Sequence, residues 1–432
     1  ALPEGNLHGV LGVFVDAFDS MMPHRRLELF KAVVNSMRNR GPDLLAWVVS
    51  AFISGSISKA RTEDAQGGRA SENDDDSAVA SVDDDGYITN SSTSREMVRC
   101  CHDLCASFKL PEQARMIAAV LAAATSDEED AEDAEDEDED DNQIKPPPAL
   151  LSTLPILVDA EKKNNVQATR RKVKSALLKF ASNHLNTKGF VRRLMQLQQA
   201  VRRRSAVVPS GTAPNKTLLA LQEQERVVER CFLSSYAGIL RKLHVLSSES
   251  SCSDEDDAKE QDDEMFLHGI LGSLVSMLTV PTFLAVLTEL LKNGNPSIRV
   301  RALQLLNTKV VEDADDLMEH EVALFLDLVD ELSGMAFPKR DFDVASIQAA
   351  LYSLNFIATA FAENHPGKFV PMLKPLTRML RPEGEGGLKT DAANDALRST
   401  VFCTLATLCI KLGPRVIPTI PVLVPALVKD LQ

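Results

Sequence analysis

Apolar side chains recur at every third or fourth position along most of this 432-residue chain, the period of helices buried on one face. The last third shows the pattern best. Phe283, Val286, Leu287, Leu290 and Leu291 line one helix, which Gly294 closes. Asn295-Pro296 then supplies an N-cap followed by proline at the first helical position, and Ile298, Ala302, Leu305 and Leu306 form the next apolar face. Ile347, Leu351, Leu354, Ala358 and Phe361 make a third face, cut off by His365-Pro366-Gly367. Phe369, Leu373, Leu376 and Leu380 follow, then Leu397, Val401, Leu405, Leu408 and Leu412. None of these stretches has the two-residue alternation of a strand, so the expected fold is all-α.

A proline-bearing helix followed by a turn and a longer, cleaner helix recurs at roughly 40 to 50 residues, the period of HEAT-type helix pairs. The segment NPSIRVRAL, Asn295 to Leu303, has the proline, the basic Arg299 and Arg301 and the Ala302 suited to such a unit. The N-terminus repeats the theme. Leu7, Val10, Leu11, Phe14 and Phe18 share one face, and Leu27, Phe30, Val34 and Met37 share another after Pro23. The hexapeptide LHGVLG at Leu7–Gly12 returns as LHGILG at Leu267–Gly272, each time read as opening an apolar helix. One such pair cannot cover its own apolar face, so neighbours must stack. The expectation is a HEAT-repeat α-solenoid, a superhelical stack of antiparallel helix pairs.

Charge changes this picture in three places. Between Asp127 and Asp141, 13 of 15 residues are acidic; Glu72–Asp85 holds seven acids and no base, and Glu249–Glu264 nine acids and one lysine. Blocks of like charge repel themselves and bury nothing, so all three read as disordered inserts: solvated loops, or segments that compete with nucleic acid or dock basic partners. Without them the formal charge of the chain changes from −15 to +13. The expected organisation is HEAT-type helices over 1–60, an acidic and polar insert over 61–98, and helices over 99–124. A second acidic insert covers 125–149, a helical region with a basic stretch 150–246, an acidic Ser-rich insert 247–264, and a HEAT array 265–432. Ser251 and Ser253 each have an acid three positions on, the pattern of acidophilic kinase sites.

The basic stretch is the strongest functional signal. Glu161–Arg204 contains 13 Lys or Arg and one acid. Val173, Leu177 and Phe180 keep helical spacing, which frees Arg170, Arg171, Lys172, Lys174 and Lys179 to decorate an exposed surface. Arg192, Arg193, Arg202, Arg203 and Arg204 extend the set. Clustered cations neutralise phosphates and release counterions, so these ten residues are the candidate RNA-binding set. The competing reading is a solvated basic face, or one paired with the chain's own acidic loops. Phe180 and Phe190 form no interleaved aromatic platform, which argues against base stacking as the main mode.

Other chemistry is sparse. Cys100, Cys101, His102 and Cys105 place four zinc-ligand types within six residues, but a structural zinc site draws on two separated pairs, and buried helix residues explain the spacing better. No histidine stands in an HExxH motif or beside a GxSxG elbow; His8 and His268 take equivalent places in the repeated hexapeptide, which suits a helix-start or packing role. The loop EGEGG, Glu383–Gly387, lacks the Lys-Ser/Thr of a phosphate loop, and Asp341 and Asp343 read as helix caps. No metal, cofactor or enzymatic reaction is expected. Seven scattered cysteines fit a reducing compartment, ALPEGN lacks a signal-peptide layout, and no run of 18 apolar residues marks a membrane span.

Four segments carry a family resemblance: LHGVLGVFVDAFDSMMPHRRLELFKAVVNSM at the start, NPSIRVRALQLLNTKV, ALYSLNFIATAFAENHPGKFVPMLKPL, and IPTIPVLVPALV near the end. In order, they resemble the family of the tenth U3 small nucleolar RNA-associated protein, the HEAT-repeat subunit of the small-subunit processome. A weaker echo lies around Gln167–Leu194, and the acidic inserts fall outside the resemblance. It implies a very long, nucleolar, non-enzymatic solenoid of the UTP-A subcomplex, which loads early onto the 5′ external transcribed spacer of pre-rRNA. The implied role is 18S rRNA maturation, with a link to ribosomal DNA transcription by RNA polymerase I. The implied partners are the propeller and helical proteins of that subcomplex, pre-rRNA and the U3 snoRNP, with no membrane and no small-molecule substrate. A start at Ala1 and a last proline-rich helix without its mate point to a piece from the later part of such a protein. The rival readings are a HEAT-type nuclear transport or protein-interaction adaptor that answers to a small GTPase, and an enzyme without a recognisable motif.

Overall fold

The computed structural model describes residues 11–36, 41–67, 92–126, 151, 154, 156–157, 160, 166–207, 215–249, 257–292, 294–337, 343–380, 392–421 and 424–425. Among these the regular structure is helical throughout, and the chain is an all-α solenoid of HEAT-type helix pairs. It divides into two compact units, Ala1–Met277 and Leu278–Gln432. The acidic runs 72–85 and 127–141, Ser251, Ser253, His8, Asp341 and the EGEGG loop lie outside the described residues.

The first unit opens with a helical segment over 11–20, followed by α1 (Pro23–Ser36) and α2 (Gly41–Gly67). Next come α3 (Ser92–Ala106), α4 (Leu110–Thr125), α5 (Val166–Leu185), α6 (Lys188–Val207), α7 (Lys216–Glu249) and α8 (Asp257–Ser276). Helix α4 is central, packing against α2, α5 and α7. Twelve of its 16 residues are buried, many of them alanine, so neighbours approach from several sides. Gly238 of α7 eases one such approach, because a Cβ there would stand a tight 3.2 Å from Thr125 Oγ1. At the N-terminal end Phe18, Phe30 and Phe52 meet edge to face at 5.3 and 4.7 Å, each fully buried ring contributing about 2 kcal/mol relative to exposure. Arg26 seals this cluster: its guanidinium lies 4.2 Å over the Phe18 ring and pairs with Glu96 of α3 at 2.6 Å.

The expected insert boundaries change here. Residues 61–67, 92–98, 247–249 and 257–264, expected as parts of disordered inserts, are wound into α2, α3, α7 and α8. Asp263 accepts a hydrogen bond from Ser175 Oγ at 2.7 Å and Glu264 lies 3.5 Å from His268, so local partners offset the repulsion. LHGILG therefore lies within α8 rather than opening it, and Leu267, Ile270 and Leu271 are buried.

The second unit contains α9 (Val280–Leu291), α10 (Pro296–Asp313), α11 (Glu319–Ala336) and α12 (Val344–Phe361). The short α13 (Pro366–Phe369) and α14 (Leu373–Met379) lead to α15 (Ala392–Leu412). Helix α9 pairs with α10 and α11 with α12, while α10, α12 and α15 stack in sequence. Leu303 and Leu306 of α10 recur 48 residues later as Leu351 and Leu354 of α12, all four inaccessible to water. Small hydroxyl residues bridge successive layers: Ser353 Oγ is 3.4 Å from the Leu303 carbonyl and Thr404 Oγ1 is 3.5 Å from that of Leu351. Asn295 and Asp343 cap α10 and α12, accepting from Ser297 N at 2.9 Å and Ser346 N at 2.7 Å. Gly413, at φ 55°, ends α15 in the left-handed conformation glycine tolerates best. Leu27, Leu305 and Ile347, expected in the core, are half-buried at helix flanks.

Helix α12 and the segment Asp395–Thr419 are long and apolar enough, by length and composition, to cross a membrane, although polar residues interrupt both and neither holds an unbroken apolar run of 18. Both place their leucines in the second unit's core, where Leu351, Leu354, Val401 and Leu408 are buried.

Candidate nucleic-acid interface

Helix α5 presents Val173, Leu177, Phe180 and His184 to the core at successive turns, and α6 presents Phe190, Leu194, Leu197 and Val201. The cations occupy what remains, but the structure divides the ten candidates into groups with different surroundings. On α5, Arg171 and Lys172 are exposed, whereas Arg170, Lys174 and Lys179 are half-buried. Burial lowers the Lys179 ammonium below the usual lysine range. Lys174 Nζ donates to the carbonyl of Ser126, the residue that ends α4, placing a cation at the negative end of that helix. The expected uniform basic face on α5 is thus partly an internal support.

On α6, Arg192, Arg193, Arg203 and Arg204 are exposed and Arg202 is half-buried. Arg193 Nη1 donates to the Phe108 carbonyl at 3.2 Å, in the turn before α4. Arg202 faces Glu225 of α7, whose carboxyl is pushed up to about 7 by burial and by Glu229, with Arg202 opposing. Gln198 donates to the Met277 carbonyl at 2.8 Å. Helix α6 contains no acidic residue. Its outward positions are Lys188, Gly189, Arg192, Arg193, Met195, Gln196, Gln199, Arg203, Arg204 and Ser205. Cations at both ends of a face on a helix without a carboxylate attract anions.

Both aromatics of the basic stretch are core residues. Phe180 stacks on His102 at 4.6 Å between centroids, and Phe190 packs near His184 and Phe232 at 5.7 and 6.3 Å. Sequence reading missed the partnership of His102 and His184, whose Nδ1 atoms are 3.3 Å apart although 82 positions separate them. It also missed Gln196 and Gln199, which a spacing of four, three and four residues from Arg192 to Arg203 would have revealed.

The cysteine cluster turns inward. Cys101 and Cys105 are buried one helical turn apart, and burial raises both thiols far above the ordinary range; Cys100 is pushed up to about 11. Among the described residues no group of three or more His, Cys, Asp or Glu has the geometry to hold a metal ion.

No family model matches the chain. Over 169 residues it is 28% identical to HEAT repeat-containing protein 1 of Homo sapiens, covering 38% of this chain and 8% of that protein. The protein of that name from Danio rerio is 22% identical over 447 residues, covering 99% of this chain and 18% of that one. The Dictyostelium discoideum homolog is 25% identical over 155 residues, covering 36% and 6%. The chain therefore spans less than a fifth of the length of these relatives. Among solved structures, karyopherin Kap121p bound to the extreme C-terminus of Cdc14p aligns with 97% of this chain and 42% of its own, at 13% identity and a TM-score of 0.29. An engineered protein aligns with 96% and 92%, at 12% identity and 0.26. Scores this low give the superpositions no weight for shape or partner.

Proposed function

We propose that this chain is a non-enzymatic scaffold segment in ribosome biogenesis, working in the nucleolus within the UTP-A part of the small-subunit processome. The observation that carries the reading is the similarity to a HEAT repeat-containing protein 1 along 99% of the chain. The stacked helix pairs support it, because repeats that touch only their neighbours build a long surface without enlarging a single core. The acid-free outer face of α6 supports RNA contact, with the 5′ external transcribed spacer of pre-rRNA and the U3 snoRNP as targets. Partner proteins are the propeller and helical subunits of the same assembly.

The test uses the full-length protein in its own cells, tagged and crosslinked. Nucleolar signal, recovery of 5′ spacer RNA and loss of 18S rRNA on depletion are expected. A protein absent from the nucleolus that instead binds a small GTPase in a nucleotide-dependent way would be a transport adaptor, and the reading would fall.

A further inference from the structure

Four outward residues of α6 form one straight stripe. Arg192, Gln196, Gln199 and Arg203 are spaced by four, three and four residues, which keeps them within a narrow sector opposite the buried Leu194, Leu197 and Val201. All four are exposed. The stripe has a guanidinium at each end and two carboxamides between them, and the ends lie about 16 Å apart along the helix axis. Arg193 and Arg204 repeat the spacing on one flank.

We propose that this stripe binds double-helical RNA across its minor groove, Arg192 and Arg203 holding phosphates on either side and Gln196 and Gln199 reading 2′-hydroxyls between them. The inference rests on the RNA-contact part of the reading above and adds the class of RNA. An A-form duplex displays 2′-hydroxyls in a wide, shallow minor groove flanked by its two phosphate strands. A carboxamide both donates and accepts, which matches a hydroxyl that does the same. Single-stranded RNA calls for a different surface, with exposed aromatic rings on which bases stack. Helix α6 has one aromatic, Phe190, and it is 2% exposed. Its exposed large apolar side chain is Met195, on the flank of the stripe. Duplex DNA offers the phosphates without the 2′-hydroxyls, so the central glutamines would distinguish the two duplexes.

The experiment measures anisotropy with the whole 432-residue chain and three probes: an RNA duplex of about 16 base pairs, the DNA duplex of the same sequence, and one unpaired RNA strand. Salt is varied between about 50 and 200 mM. The RNA duplex should bind tightest. Arg192→Ala with Arg203→Ala should reduce the slope of log affinity against log salt by roughly 1.5 to 2, and the Lys pair at the same sites should restore it. Gln196→Ala with Gln199→Ala should erase the preference for RNA over DNA duplex while leaving that slope unchanged. Equal or tighter binding of the unpaired strand overturns the duplex assignment and leaves the scaffold reading standing. Equal binding of DNA and RNA duplexes by the unaltered chain overturns the 2′-hydroxyl readout. Absence of binding to any RNA overturns the RNA contact itself.

Discussion

His102 on α3 and His184 on α5 meet Nδ1 to Nδ1 at 3.3 Å, and the surrounding bonds fix which ring holds the proton. Gln113 Nε2 donates to the Phe108 carbonyl at 2.7 Å, which turns its Oε1 toward His184 Nε2 at 3.3 Å. His184 therefore bears its hydrogen on Nε2 and accepts on Nδ1 from His102 Nδ1–H. A second proton on His184 has no acceptor in this arrangement.

Acid should weaken the first unit through this pair. Burial, with the nearby His102 and Arg193 adding to it, lowers the His184 pKa to about 3. Below the unfolded value of about 6.5 the unfolded chain takes up a proton that the folded chain refuses, so stability falls progressively as pH drops from there toward 3. The loss attributable to His184 between pH 7 and 5 should be about 1 to 2 kcal/mol in denaturant titrations. His184→Gln should flatten that slope; an unchanged slope would place the sensitivity elsewhere.

Charge reversal on α5 should give two different phenotypes. Lys174→Glu removes the cation from the end of α4 and puts an anion against its last carbonyls, a loss of about 1 kcal/mol visible as a lower Tm. Arg171→Glu with Lys172→Glu alters exposed residues only and should leave Tm within a degree or two of the parent. Equal Tm losses from both changes would mean that Lys174 is not a support.

The Arg299–Asp343 pair should prove the costliest to break. Arg299 is 8% exposed, and its guanidinium donates to Asp343 Oδ2 at 2.7 Å, Ser346 Oγ at 3.1 Å and the Gly294 carbonyl at 3.1 Å. Burial pushes the Asp343 carboxyl up, but hydrogen bonds from Ser346 and Arg299 outweigh it and hold it below the usual range. This contribution is present at neutral pH and is lost as pH falls through that lowered value. Asp343→Ala takes the Asp343 carboxylate away from a buried cation and uncaps α12, costing about 3 kcal/mol in denaturant titrations. Arg299→Met with Asp343→Ser keeps a capping oxygen and buries no charge, so the double variant should lose much less. If it loses as much as Asp343→Ala, pairing is not what the site provides.

Thiol chemistry should follow burial. In native protein at pH 8, brief alkylation followed by peptide mass spectrometry should modify Cys403, the exposed one among the described cysteines, before the other described thiols. Cys101 and Cys105 should react only after unfolding, and Cys231, held at about 11 chiefly by burial, should lag as well. Early modification of Cys101 would contradict the inward orientation of α3.

The sequence reveals what is local. Asn295 and Asp343 are recognisable as caps because a cap and the N–H it accepts lie within three residues of each other. The apolar faces of α10, α12 and α15 are legible because each helix repeats its own pattern. Contacts across long separations are not: Arg299 reads as a repeat's basic residue, and nothing nearby identifies Asp343, 44 positions on, as its partner. His102 and the three cysteines beside it read as buried helix residues, and nothing in that cluster points to His184, 82 positions on, as its neighbour in space. The basic stretch was plain from composition, but composition could not show that Lys174 supports α4 while Arg192 and Arg203 face outward.

Helix α12 carries no charged side chain in its 18 residues, and it tolerates this because α10, α11 and α15 pack against it and cover its apolar side. Anyone trimming the polypeptide for crystallisation inherits a constraint from that packing. A cut that removes either flanking layer leaves a greasy rod facing solvent, and the shortened product should clump rather than dissolve. Safe boundaries lie where a whole layer comes away with its own polar rim.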